Sequence, residues 1–383
     1  MRRTNVQAIY LDNAATAFPK APTVAGEMTR CVETMGGSMG RGTYLQANEN
    51  ALKAIELREQ LAALTGAEDA SLCILTPGAT WSINMAILGF VRPGDHVVTS
   101  SVEHNAVLRP LHLIENVEID AAPCDAAGVT DPDEIRRRIR ADTRLVVLNH
   151  ASNVFGAIQP AREIGAICAE AGVRFLLDAS QTAGHLSLSD ISFDAAALPG
   201  HKGLLGPEGI GALVMRRDFA SALRPVAAGG TGSRSDSPEQ PEFLPDKFEP
   251  GTANLPGIYG LSAAISFVEP RMEAFRAHER ALCARFLEGL QEIPGIRVPG
   301  GFDADKRVPV VAVAFRGVDN ATAGVLLEEE FGILTRCGLH CAPSAHRALG
   351  TYPAGAVRFS FGWANATEEV DTALRAIEKI ARM

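Results

Sequence analysis

From about residue 50 to residue 216, stretches with helical spacing of apolar side chains alternate with short, almost wholly apolar runs. Leu52, Ile55, Leu61 and Leu64 recur at the spacing of one helix face over residues 51–64, and Gly66 follows where a helix would stop. Residues 71–75 form a short apolar run that leads into Thr76-Pro77-Gly78-Ala79-Thr80, and residues 81–90 predict the next helix. A strand is expected over 96–100. Asp131-Pro132 predicts a helix start, with Asp as N-cap and Pro in the first helical position. Residues 144–148 and 173–177 are nearly all apolar, as strands covered on both faces should be, and a helix over 161–171 separates them. Residues 210–215 give a further strand. Such alternation predicts an α/β architecture with a mainly parallel sheet. In sheets of this kind ligands bind beyond the carboxyl ends of the strands, which says where to look for chemistry.

The rhythm stops over 227–254, a long loop rich in Gly, Ser, Pro, Asp and Glu. After Leu261 it resumes with helices over 272–291, 321–331 and 367–381 and strands over 308–315 and 357–361. This is the pattern of a smaller α+β C-terminal domain. We expect residues 16–260 to form a large domain, and residues 1–15 with 261–383 to form a small one.

Composition narrows the function more than the fold. The chain has 383 residues, 46% hydrophobic and 21% charged, with a formal net charge of -9. That acidity argues against a phosphate-backbone binder, and Arg136-Arg137-Arg138 reads as a solvated helix face, so no nucleic-acid partner is expected. The opening Met1-Arg2-Arg3-Thr4-Asn5-Val6 leads into no apolar signal segment, and no apolar run reaches the roughly 18 residues that span a bilayer. Seven cysteines, sparse and odd in number, do not suggest a disulfide framework. A cytoplasmic location without membrane association is the expectation.

Several residues stand where strand ends should lie. Asp178 follows an apolar strand, where it either caps the next helix or holds a cationic ligand. Lys202, in Pro199-Gly200-His201-Lys202-Gly203, is either a surface lysine or an amine of lowered pKa able to form a Schiff base. Gly78-Ala79-Thr80 would present backbone N–H groups to an anion at a helix start. His104, in Glu103-His104-Asn105, either caps a helix or faces a ligand with its ring. Cys337 and Cys341 lie near His340 and Arg336. Their spacing matches no common zinc site, so no metal is expected. A thiol beside His and Arg could react as thiolate. Cys337 is either a resolving thiol or a small buried residue.

As a set, these motifs resemble the class V aminotransferase superfamily and, within it, the cysteine desulfurases, from Tyr10-Leu11-Asp12-Asn13-Ala14-Ala15-Thr16 to Val370. The likeness is to the desulfurase-like branch with a short catalytic-cysteine segment. It implies the type I fold of transferases dependent on pyridoxal 5′-phosphate (PLP). Lys202 would carry the cofactor as a Schiff base. Asp178 would pair with the pyridine nitrogen and Gln181 with the phenolic oxygen, while His104 would stack on the ring. Ala79, Thr80 and His201 would hold the phosphate. Thr252, in Glu249-Pro250-Gly251-Thr252, would reach the phosphate in a neighbouring subunit, which implies a homodimer with shared sites. Asn153 and Arg358 would bind the substrate carboxylate. Cys341 would be the nucleophile that takes sulfur from L-cysteine as a persulfide, leaving alanine, before a sulfur-acceptor protein or reductant relieves it. Three positions depart from the pattern: Pro199 stands where many relatives have Ser or Thr, Leu339-His340 replaces a His-His pair, and Cys337 is an extra thiol four residues before Cys341.

The alternatives are another class V reaction (a selenocysteine lyase, an aminotransferase, an amino-acid lyase or epimerase) or a sulfur-carrier or scaffold subunit without catalysis. Cys341 favours the desulfurase over an aminotransferase, which needs no thiol there. A nicotinamide dehydrogenase is disfavoured because no Gly-x-Gly-x-x-Gly lies between a strand and a helix.

Overall fold

The computed structural model describes residues 8–39 and 42–383. The N-terminal residues read for a signal segment, and the first part of the expected 1–15 segment, lie outside them. Seven strands form the main sheet. Their spatial order is Cys73–Thr76, Gly211–Met215, Ala195–Pro199, Arg174–Asp178, Thr143–Asn149, His96–Ser100 and Glu118–Ala122. Only Gly211–Met215 runs against its neighbours, so the sheet is mostly parallel.

The two faces of this sheet explain the continuous apolar runs. Val146, Leu148, Phe175 and Leu177 enter one core, with the helices Leu45–Thr65, Ala161–Ala171 and Leu255–Val268. Leu145, Val147 and Leu176 enter the other, with the helix Ala79–Phe90. Successive strand residues point to opposite faces, so burial on both sides leaves no polar position between them. The expected helix caps are present: Gly66 is left-handed at φ 73°, and Asp131 accepts from the Asp133 N–H with Pro132 in the first turn. On that helix, Arg136, Arg137 and Arg138 pair with Asp133, Glu134, Asp120 and Glu170, as a solvated face does.

A second, antiparallel sheet orders Arg336–Gly338, Ala356–Ser360, Val310–Phe315 and Ile296–Arg297. Its core takes Phe286 from Met272–Gln291, Leu327 from Asn320–Phe331 and Ile377 from Thr367–Ala381. Leu11 joins it from the N-terminal segment, where Ile9–Tyr10 pairs in parallel with Ile333–Leu334. The 260/261 division expected from sequence falls inside the helix Leu255–Val268, whose Leu261 and Ile265 pack in the main-sheet core.

The 227–254 loop contains no regular element, yet its end is tied down. Phe248 is buried in the main core, and Glu249 grips Arg58 with two bonds of 2.7 Å while accepting from the Leu75 N–H at 2.6 Å. Among the described residues, no helix is long and apolar enough to cross a membrane.

Candidate active site

A cavity of about 370 Å³ opens beyond the carboxyl ends of the parallel strands. Each wall is a segment that has just left the sheet. Gly78, Ala79, Thr80 and Trp81 follow Cys73–Thr76, His104 follows His96–Ser100, and Asn153 follows Thr143–Asn149. Asp178 closes its own strand, with Gln181 in the turn after it, and His201 and Lys202 follow Ala195–Pro199. The structure thus gathers eight of the expected residues (Ala79, Thr80, His104, Asn153, Asp178, Gln181, His201 and Lys202) from separate points of the chain.

Lys202 lines this cavity. Burial pushes its ammonium down to about 8, with the Arg358 and Arg336 charges acting the same way and Asp178 opposing them. Asp178 is buried, and one carboxylate oxygen accepts from the Ser180 N–H at 2.9 Å. It caps a turn, with no helix following, and also lines the cavity.

His104 caps a helix and also lines the cavity. It is the N-cap of the helix Asn105–His112, its Nδ1 accepting from the Ala106 N–H at 2.9 Å. Burial lowers its pKa to about 4, so the ring is neutral and its proton sits on Nε2. Just before it, Glu103 is fully buried, and burial lifts its carboxyl to about 8. That carboxyl accepts from Ser100 Oγ at 2.5 Å and from the Asn149 N–H at 3.0 Å. Gln181 donates to the Ala14 carbonyl at 3.1 Å, tying the N-terminal segment to the cavity wall.

The phosphate-holding group is partly as expected. The first N–H groups of Ala79–Phe90, capped by Gly78, border the cavity and have no acceptor inside the helix. His201 is kept neutral by burial and by the neighbouring Lys202 and Lys20 charges, at about 4, and its buried Nδ1 has no protein partner. Thr252 is exposed and lies outside the cavity wall within this chain.

Cys341 and Arg358 also stand outside the cavity wall, on the smaller sheet's side. Cys341 is exposed, in the short turn between Arg336–Gly338 and Pro343–Ala348. That turn is stapled to the main sheet: Asn105 N–H donates to the Cys341 carbonyl at 2.7 Å, and Asn153 Nδ2 donates to the His340 carbonyl at 2.7 Å. Asn153 keeps a buried Oδ1 without a protein partner. Arg358 is almost wholly buried. It donates to Asp12 Oδ1 at 2.6 Å and to the Asn153 carbonyl at 3.1 Å, and its Nε is left without a partner. Cys337 is half-buried, with its sulfur against Gly324, where any side chain would collide. It serves as packing for the smaller core.

Pyridoxal phosphate fits these residues. An amine of lowered pKa, a buried carboxylate, a neutral imidazole, and open donors at a helix N-terminus converge on one cavity of suitable size. Sequence reasoning gave no role to Asn105, Asp12 or Glu103. Each lies within a quoted motif, but what each does depends on partners far along the chain.

Known proteins agree with this geometry. The family model for class-V aminotransferases matches residues 9–373. A probable cysteine desulfurase of Methanothermobacter thermautotrophicus is 33% identical over 98% of this chain and 95% of its own length. The cysteine desulfurase IscS of Methanosarcina thermophila is 31% identical over 99% of this chain and 93% of its own. The apo structure of a cysteine desulfurase from Thermococcus onnurineus NA1 superposes with a TM-score of 0.91, at 29% identity, covering 98% of this chain and 95% of that one. With the whole fold matched and the cavity residues in place, the chain belongs to the class-V aminotransferase family, among the cysteine desulfurases.

Proposed function

We propose that this protein is a PLP-dependent cysteine desulfurase that transfers sulfur from L-cysteine to Cys341. The observation that carries the proposal is the pairing of the Lys202 cavity with an exposed thiol whose turn is bonded through its backbone to Asn105 and to the cavity residue Asn153.

Lys202, Asp178, Gln181, His104, Ala79, Thr80 and His201 would hold the cofactor, which when bound supplies an electron sink for chemistry at the substrate α-carbon. Lys202, with its amine near neutrality, can take and return a proton there. His104 presents Nε2–H from a ring that does not tumble, because its Nδ1 is fixed by the helix start. Arg358 and Asn153 orient the substrate carboxylate. The Cys341 thiolate attacks the substrate sulfur: an S–S bond forms, the C–S bond breaks, and the carbon skeleton leaves as L-alanine after protonation. The products balance as Cys341 persulfide plus alanine. A sulfur-acceptor protein or a reductant then removes the outer sulfur.

The reading extends to a homodimer. Tyr44, Leu45, Leu52 and Ile55 expose an apolar stripe along one helix, and Thr252 projects from an anchored segment without a role in its own subunit.

The test is to incubate the protein with PLP, L-cysteine and a reductant, and to measure sulfide and alanine beside Cys341→Ala. Equal yields from the parent, with sulfide lost in the variant, are expected. A protein that shows the bound-PLP absorption band and releases no sulfide would overturn the assignment, as would full activity in Cys341→Ala.

A further inference from the structure

Beside Cys341 lies a line of buried polar groups that neither cofactor holding nor substrate binding uses. His340 and His346 are 4% and 0% exposed. Their rings stack with centroids 5.5 Å apart and planes 22° from parallel. Bond directions along this line can be deduced. His340 Nε2 lies 3.0 Å from the Arg336 carbonyl, which only accepts, so Nε2 bears the proton. Burial keeps both rings neutral, at about 3 for His340 and about 4 for His346. His340 Nδ1 is then an acceptor, and His346 Nε2, 3.3 Å away, must donate to it. That leaves His346 Nδ1 to accept from the Thr351 hydroxyl at 2.7 Å. A directed chain therefore runs from Thr351 through His346 and His340 to the Arg336 carbonyl.

The far end of this chain is itself fixed. The His346 carbonyl takes the N–H of Thr351 at 2.8 Å and of Tyr352 at 3.1 Å, and Phe155 packs edge-on against the His346 ring at 5.6 Å. The near end is strained. His340 and Cys341 have φ of 49° and 58°, two consecutive side-chain-bearing residues in the left-handed region. Such a backbone persists only where its surroundings over-determine it. Asn153 and Asn105 hold the two carbonyls, and the His340 ring is held at both nitrogens, by the Arg336 carbonyl on one side and by His346 on the other, so that loss of the His346 donor frees Nδ1 and leaves a single bond to fix the ring.

We propose that His346, directed by Thr351, is a positioning residue for the reactive thiol: by donating to His340 Nδ1 it holds the left-handed His340–Cys341 turn that presents Sγ. This rests on the reading of Cys341 as nucleophile.

The test compares His346→Leu, which removes the donor, with His346→Gln, whose amide N–H can replace it, in the PLP-loaded protein. His346→Leu is expected to lower kcat about tenfold with KM for L-cysteine within about twofold, and His346→Gln to recover most of the loss, since a misplaced reactive group costs rate more than binding. Alkylation of Cys341 by iodoacetamide, which involves no catalytic step, is expected to change about threefold or more in His346→Leu and to return toward the parental rate in His346→Gln. Thr351→Val keeps the side-chain volume and removes only the hydroxyl. It is expected to lower kcat about threefold, and keeps the proposal testable if His346→Leu does not fold. Parental kcat and alkylation in His346→Leu or in Thr351→Val, or a loss that His346→Gln does not recover, would refute the positioning role. Should the parent release no sulfide, the desulfurase reading fails, while the alkylation series still decides whether His346 governs the Cys341 turn.

Discussion

At the scale of single residues, the site works by removing water from charged groups. Lys202, His104 and His201 all sit where burial opposes the cation, and the two imidazoles are neutral. For Lys202 the consequence can be measured. Only its unprotonated amine can condense with an aldehyde, so the fraction competent to capture cofactor rises with pH through about 8 rather than through the ordinary 10.5. Stopped-flow loading of cofactor-free protein with PLP between pH 6 and 10 should level off above about 8. A rate still climbing at pH 10 would show an amine of ordinary basicity. His104 and Asp178 were legible in the sequence because each follows an apolar strand, while His201 and Lys202 stood out through their glycine-rich motif. Asp12 was not legible, since its meaning is a 2.6 Å bond to a guanidinium more than three hundred residues away. The His346 chain was hidden for the same reason, because spacing alone cannot give the direction of a hydrogen bond.

At the scale of elements, the strongly patterned helices matched their expected bounds: Ala161–Ala171, Met272–Gln291 and Thr367–Ala381 needed no revision. The elements that escaped notice lack the signals that periodicity reads. The helix Leu255–Val268 is buried nearly all round and so has no polar face to set its phase. The strand Ala195–Pro199 is a run of alanines, and alanine and proline are both poor strand formers. The edge strand Glu118–Ala122 carries two acids, and the helix Asn105–His112 contains Pro110. One contact joins the two parts of the fold in a pH-dependent way. His185, in the turn after Arg174–Asp178, meets Glu279 of Met272–Gln291 at 2.8 Å. Burial opposes the histidine's charge, but Glu279 outweighs it and the pKa is raised above 6.5. A raised histidine contributes stability that is complete below its unfolded value and fades as pH climbs through the folded one. Glu279→Gln should therefore lower stability by ~2 kcal/mol at pH 6 and by less at pH 9. Melting curves giving the same loss at both pH values would remove the ion pair from the account.

At the scale of the whole molecule, the proposed site spans two sheets. Lys202 and Asp178 stand on the larger, Cys341 and Arg358 on the smaller, and the stapling bonds from Asn105 and Asn153 keep them in register. The proposed dimer adds a third contributor. Light scattering should give about twice the 40.6 kDa chain mass for the parent and a single chain mass for Leu52→Glu, which puts a charge in the exposed stripe. If Thr252 serves the partner's cofactor, that monomeric variant should lose PLP on dialysis as readily as Thr252→Ala does. A monomer that keeps its cofactor would confine the site to one chain.

Arg358 already has a carboxylate. Its guanidinium donates to Asp12 while its Nε stays without a partner, so an amino acid bound there, as proposed, would share the cation with a second anion. The affinity measured for such a ligand would then be that for a half-neutralised guanidinium and not for a free one. Such a guanidinium would be a poor trap for bystander amino acids, and weak ground-state binding would leave room for contacts that tighten as the substrate's bonds rearrange.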